Sequence, residues 1–229
     1  MIKTVEIIRR LERYSMFTEN DIAKLINKTP AYVRTFLYRL SYRKLIRKIE
    51  RGKYTLYEDP MMFATNIVVP SYISLWTAFK YYGMLQQQPF NIFIISSRPR
   101  KTLLFENMKI IFLFSRHMFG YKKHRYMGFD IFIADREKAI IDALLFKLPI
   151  QDIYSALSNE DIDFKRLSEY AIRVKNKSLI KRLGYLLERK TGKSYDLMAM
   201  DANYIKLDCL GKKKGMVNSR WRLVINAEL

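Results

Sequence analysis

Residues Thr29 to Tyr57, TPAYVRTFLYRLSYRKLIRKIERGKYTLY, decide how the N-terminal part of this chain folds. Thr29 is a helix-capping residue, and Pro30 suits the first helical position, where the missing N–H has no intrahelical acceptor to lose. Val33, Phe36, Leu37 and Leu40 then recur at helical spacing, which predicts a helix to about Arg43. After it, Leu45 to Ile49 and Lys53 to Tyr57 read as two short strands joined at Arg51-Gly52, where glycine accepts positive φ. Upstream, Ile2 to about Tyr14 forms a first helix with Val5, Ile7, Ile8 and Leu11 as its apolar stripe. Thr18 before Glu19-Asn20-Asp21 starts a short second helix with Ile22, Leu25 and Ile26 inward. Three helices and a basic hairpin, in that order, predict an N-terminal winged helix-turn-helix domain over residues 1–59.

The charge points the same way. The chain has 229 residues with 42 Lys and Arg against 22 Asp and Glu, a formal charge of +20. Such an excess favours a polyanion, because phosphate contacts release condensed counterions, and a nucleic acid is favoured over a membrane surface. Between Ala31 and Tyr57 lie eight basic residues and one acid, Glu50, a local charge of +7. With the apolar stripe facing inward, Ala31, Tyr32, Arg34, Thr35, Tyr38 and Arg39 project outward and are the candidates to enter a DNA groove. Arg34, early in the helix, suits a bidentate contact to guanine, while Thr35 and Tyr38 suit hydrogen bonds or methyl contacts. Arg39 and Arg43 suit phosphates, and Arg51 and Lys53 at the hairpin tip suit the flanking backbone or a minor groove. Double-stranded DNA is the expected partner.

Asp59-Pro60 restarts the chain, and between Pro60 and Ser97 only Lys80 is charged, so a boundary is expected at about residues 58–62. Residues 60–229 then form a larger α+β domain. Ser74 reads as the N-cap of a helix from Leu75 to Tyr82 closed by Gly83. Asn91–Ile95, Lys109–Phe114 and Phe129–Ile133 read as strands. Asp135 caps a helix to about Phe146, helices follow near 152–157, 163–174 and 178–190, and 204–207 and 220–225 are a final pair of strands. One cysteine, Cys209, excludes a disulfide framework, and with His117 and His124 apart no zinc set is recognisable. No apolar run is long enough to span a membrane, and a cytoplasmic location is expected.

Two segments stand out in the second domain. Pro70-Ser71-Tyr72-Ile73-Ser74 leads into Ala78-Phe79-Lys80-Tyr81-Tyr82-Gly83, and Ile133-Ala134-Asp135-Arg136-Glu137-Lys138-Ala139 precedes Asp142. Together they resemble the AbiEi family, antitoxins of the abortive-infection (type IV) toxin-antitoxin systems, through its P-S-Y-x-S and I-A-x-x-E-K-A motifs. The N-terminal helices, Arg51-Gly52-Lys53-Tyr54 and the Trp221–Asn226 strand extend the resemblance over nearly the whole chain, most weakly in 147–203. It implies a DNA-binding domain that represses its own operon at operator repeats. It also implies a C-terminal domain that counters a nucleotidyltransferase-like toxin without forming a stable complex. Ser71, Tyr72, Ser74, Glu137, Lys138 and Asp142 are carried over as motif positions, with caps and packing as their plain structural reading.

Further basic residues, Arg98, Arg100, Lys101, Arg116, Lys122, Lys123, Arg125 and Lys212–Lys214, suggest a second surface for DNA beside the operator or for RNA. No catalytic motif is present. Asp130, Asp135, Glu137 and Lys138 superficially suggest a nuclease, yet adjacent Glu137 and Lys138 lie about 100° apart on a helix and cannot both serve one ion. No enzyme, metal or cofactor is expected. The alternative is a solitary winged-helix regulator whose second domain senses a ligand or dimerises, with the apolar stretch Met61 to Tyr82 available for either purpose.

Overall fold

The computed structural model describes residues 4–85, 90–198, 201–212 and 214–229; Ile2 of the first expected helix and Lys213 of the basic loop lie outside them. The fold is α+β, with nine α-helices and three sheets among the described residues. The chain divides into two compact units, each built from several segments. The first takes residues 1–73, 90–115 and 123–132, and the second takes 74–89, 116–122 and 133–229.

The first unit begins with α1 (Thr4–Leu11), β1 (Phe17–Thr18), α2 (Glu19–Ile26), α3 (Pro30–Tyr42), β2 (Arg47–Glu50) and β3 (Lys53–Thr55). Both expected helix starts are present. The Thr18 hydroxyl accepts from the Asp21 amide while the Asp21 carboxylate accepts from the Thr18 amide, a reciprocal cap, and Thr29 accepts from the Tyr32 amide. Strands β1, β3 and β2 form one antiparallel sheet, with Gly52 at φ +76° in the β2–β3 turn. The segment has its own core of Ile7, Leu11, Phe17, Ile22, Val33, Leu37, Leu40, Ile46 and Tyr54. Val5, expected in the apolar stripe of α1, is instead 74% exposed. Two helical residues separate it from the inward-facing Ile7 by about 200°, so the two cannot share a face.

After Ala64–Ile67 (α4), strands β4 (Ser71–Ile73), β5 (Asn91–Ser96), β6 (Leu103–Phe105), β7 (Met108–Phe114), β8 (Tyr121–Tyr126) and β9 (Phe129–Ala134) form one sheet ordered β6-β7-β5-β4-β9-β8. Strands β5 and β7 are parallel neighbours although few residues separate them. Such a pair needs a crossover. Here β6 runs back along the outer edge, antiparallel to β7, and the chain reverses at Glu106, φ +50°. The apolar stretch Met61 to Tyr82 is largely core: Met62, Phe63, Ala64, Ile67, Tyr72, Ile73, Leu75, Ala78 and Phe79 are buried. It is core first, with Val69 its exposed large apolar side chain.

In the second unit, α5 (Leu75–Tyr81), α6 (Arg136–Leu145), α7 (Ile150–Ala156), α8 (Phe164–Val174) and α9 (Lys177–Thr191) precede a small sheet ordered β10-β12-β11, from β10 (Ile205–Lys206), β11 (Met216–Asn218) and β12 (Leu223–Ile225). Helix α6 is buried from Glu137 to Leu144. On α9, a Cβ at Gly184 would lie 2.1 Å from the Trp221 ring, whose Nε1 donates to Glu188 one turn further on at 2.5 Å. In an open helix, Gly→Ala gains about 1 kcal/mol. Gly184→Ala should instead lower the thermal midpoint, by an amount equivalent to about 1–3 kcal/mol of overpacking, and a raised midpoint would contradict this packing.

Candidate nucleic-acid interface

Helix α3 buries Val33, Leu37 and Leu40 and exposes Ala31, Tyr32, Arg34, Thr35, Tyr38, Arg39, Tyr42 and Arg43. All the residues read as groove candidates therefore lie on one accessible face, joined by Tyr42, which the sequence reading passed over. Tyr38 and Tyr42 are 71% and 81% exposed and stack with centroids 6.4 Å apart; Tyr32 stacks on Phe36 at the same distance. Among the described residues, Arg34, Arg39 and Arg43 enter no ion pair. Thr35 turns its hydroxyl back to the Ala31 carbonyl at 3.2 Å, so its methyl group is left for outside contacts.

The hairpin is held differently. Glu50, the one acid of the basic segment, pairs with Lys53 at 3.0 Å and with Arg100. Lys53 also donates to the Ile67 carbonyl at 3.0 Å, and Arg100 lies over the Phe112 ring. Lys53 therefore does not offer a free ammonium at the hairpin tip; it braces the hairpin, and Arg51 is the exposed tip cation. Arg100, 22% exposed at its side chain, is likewise a bracing group, which separates it from the exposed Arg98 and Lys101. Lys122, Lys123 and Arg125 lie exposed on β8, at one edge of the six-stranded sheet. Lys123 and Arg125 share Asp130, at 3.2 and 2.9 Å, and hold its carboxyl below the usual carboxylate range. Cations on an edge strand also discourage pairing with another chain.

The motif residues form no open site. Ser71 donates to the Thr65 carbonyl at 3.1 Å, and Tyr72 is wholly buried in β4. In the second unit, Ser74, Lys138 and Asp142 come together without solvent exposure: Asp142 accepts from the Ser74 hydroxyl at 2.8 Å and from the Lys138 ammonium. Ser74 occupies the N-cap position of α5 but makes no side-chain cap, a correction with a clear cause. The hydroxyl is turned to Asp142, and Leu75 at the first position of α5 has φ +57°, which takes the start of this helix out of ordinary cap geometry. Asp135 does cap α6, at 2.7 Å to the Lys138 amide, and accepts from Tyr170 at 2.9 Å. Burial raises its carboxyl pKa against these bonds, and burial with the Asp135 contact pushes Tyr170 up to about 12. Glu137 accepts from the Asp163 amide at 2.8 Å, at the start of α8. No cluster of three or more His, Cys, Asp or Glu able to hold a metal ion occurs among the described residues. No helix among them is long and apolar enough to cross a membrane.

No family model matches the chain, and no curated protein matches its sequence.

Asp142→Asn removes the carboxylate charge beside the buried Lys138 ammonium and should cost about 3–5 kcal/mol in denaturant unfolding, whereas Lys138→Met with Asp142→Leu together should restore most of the loss; equal losses in the single and double variants would refute the pairing. His117 is held below its usual pKa by burial first and by the Lys138 cation second. Its proton is thus bound more weakly in the folded state. The stability it contributes is full above the unfolded pKa of about 6.5 and falls as pH drops below that value. His117→Asn should remove this fall of the unfolding midpoint as pH drops below about 6.5.

Proposed function

We propose that the chain is a DNA-binding regulator, with residues 1–59 acting as a winged helix-turn-helix and α3 as the helix that enters the major groove. One observation carries this reading: the exposed face of α3 holds three arginines with no carboxylate partner among the described residues, while basic side chains around the hairpin, Arg47, Lys53 and Arg100, are paired. A polyanionic partner completes such a face. The width of a helix matches the major groove, and Arg34, in the first turns of α3, is assigned to a base edge. Arg39, Arg43 and the hairpin residue Arg51 are assigned to phosphates.

The motif resemblance extends the proposal. The protein represses its own operon and antagonises a nucleotidyltransferase-like toxin in the cytoplasm, without a stable complex. The buried placements of Ser74, Lys138 and Asp142 favour a scaffold role for those motif residues over catalysis.

Full-length protein should bind duplex DNA with log K falling linearly against log salt, at about 0.9 per phosphate neutralised. Arg39→Ala and Arg43→Ala should each reduce that slope by about 1, and Arg34→Ala should cost about 1–3 kcal/mol on the preferred sequence and little on random DNA. Lys53→Ala should leave the slope unchanged and lower thermal stability instead. Salt-insensitive binding, or three arginine variants indistinguishable from the parent, overturns the reading. In cells, the triple arginine variant should lose repression of its operon yet still relieve growth arrest by the toxin; loss of both together argues against separate activities.

A further inference from the structure

Exposed arginines explain affinity for a polyanion, but they do not explain three exposed tyrosines on the same helix. Tyr32, Tyr38 and Tyr42 present large rings to solvent on α3, Tyr38 and Tyr42 the more exposed. Tyr38 and Tyr42, stacked on each other, make a contiguous exposed aromatic surface of the kind that marks a contact site. Its surroundings identify the occupant: Arg34 lies one turn before Tyr38, Arg39 directly follows Tyr38, Arg43 follows Tyr42, and these arginines enter no ion pair among the described residues. A protein partner would have to bring several carboxylates to this one helix face. Duplex DNA brings a row of phosphates together with the one apolar group exposed in its major groove, the thymine methyl.

The positions divide the work. Arg34, Tyr38 and Tyr42 are spaced by four residues and form one row along the helix, and Thr35, Arg39 and Arg43 form the adjacent row. Tyr38 lies mid-helix between the base-reading Arg34 and the last turn, and its ring is held by the stack with Tyr42 at an interplanar angle of 23°. That stack limits the rotamers Tyr38 must give up on binding.

We infer that Tyr38 is a specificity-determining residue that reads a thymine methyl in duplex DNA, with Tyr42 fixing its ring and offering its hydroxyl to a backbone phosphate. The inference rests on the DNA-binding reading above and adds a sequence preference to it: sites should carry thymine beside the base pair read by Arg34.

The test uses full-length protein and a duplex selected by repeated rounds of binding from a random pool, with affinity measured by fluorescence anisotropy at fixed salt. Each thymine is replaced in turn by deoxyuracil, which removes only the methyl. At one or two positions the parent protein should lose about fourfold, the free energy of burying one methyl-sized group, about 0.8 kcal/mol. Tyr38→Ala should bind more weakly and lose that dependence, Tyr38→Phe should keep it, and Tyr42→Phe should weaken all duplexes alike. Salt-dependent duplex binding with no effect of deoxyuracil at any position, or an unchanged effect in Tyr38→Ala, overturns this inference and leaves the DNA reading standing. No duplex binding, or tighter binding to the separated single strands, overturns both.

Discussion

A lysine ammonium with no solvent exposure must be neutralised where it lies, and in the second unit this constraint organises the helices around α6. Lys138 meets Asp142 one turn along the same helix, and Asp142 takes the Ser74 hydroxyl from the start of α5 on its other oxygen. Such a pair adds little net stability over an apolar pair of equal volume, because desolvation offsets the attraction. What it supplies is selectivity: any placement of α5 on α6 that separates Ser74 from Asp142 gives up a hydrogen bond to a buried carboxylate. The neighbouring acids work in the same sense. Asp135 caps α6 and accepts from Tyr170 of α8, and Glu137 accepts from the amide at which α8 begins. An acid-rich helix start that looks like a reactive cluster in the sequence is thus a set of helix joints.

Charge in the first unit is divided by a similar rule. Glu50 ties Lys53 and Arg100 together, and Arg47 pairs with Glu58 and with Glu106 at 3.5 Å, so much of the basic hairpin is neutralised internally. Formal charge therefore overstates what the hairpin can offer a polyanion. Helix α3 is the reverse case. Its own sequence contains no acid, and its arginines are four or five residues apart on faces that no carboxylate of the described residues reaches.

Much of this was legible in the sequence where one local signal dominates. Thr18, Thr29, Asp135 and Asp163 are read as helix starts and cap their helices, and the apolar runs of β5, β7 and β9 appear within a residue of their expected ends. Strand β8 was hidden because YKKHRY has no apolar alternation; its place at a sheet edge leaves its basic side chains in water. Strands β1, β4 and β6 span only two or three residues and exist through their partners. The partition of basic residues into braces and free cations is non-local, since Arg100 and Glu50 are far apart in sequence. So is the role of Gly184, where helix propensity argues for alanine and only the distant Trp221 ring shows why a side chain is excluded.

A net charge of +20 opposes compaction through self-repulsion, and folding can relieve it only by pairing cations with the available acids. In this chain the acids are spent on structure: on helix caps, on Glu50 at the hairpin, on Asp142 in the core and on Asp130 at the sheet edge. The face of α3 receives none, so its repulsion and its exposed tyrosines are costs that the free protein bears. The scaffold beneath that face is nevertheless fixed, by the Thr18–Asp21 reciprocal cap, the Thr29 cap and the Glu50 brace, and little backbone is left to order when a partner arrives. A polyanion bound there, as proposed, would relieve the repulsion without a large entropic penalty, because the helix that meets it is already ordered.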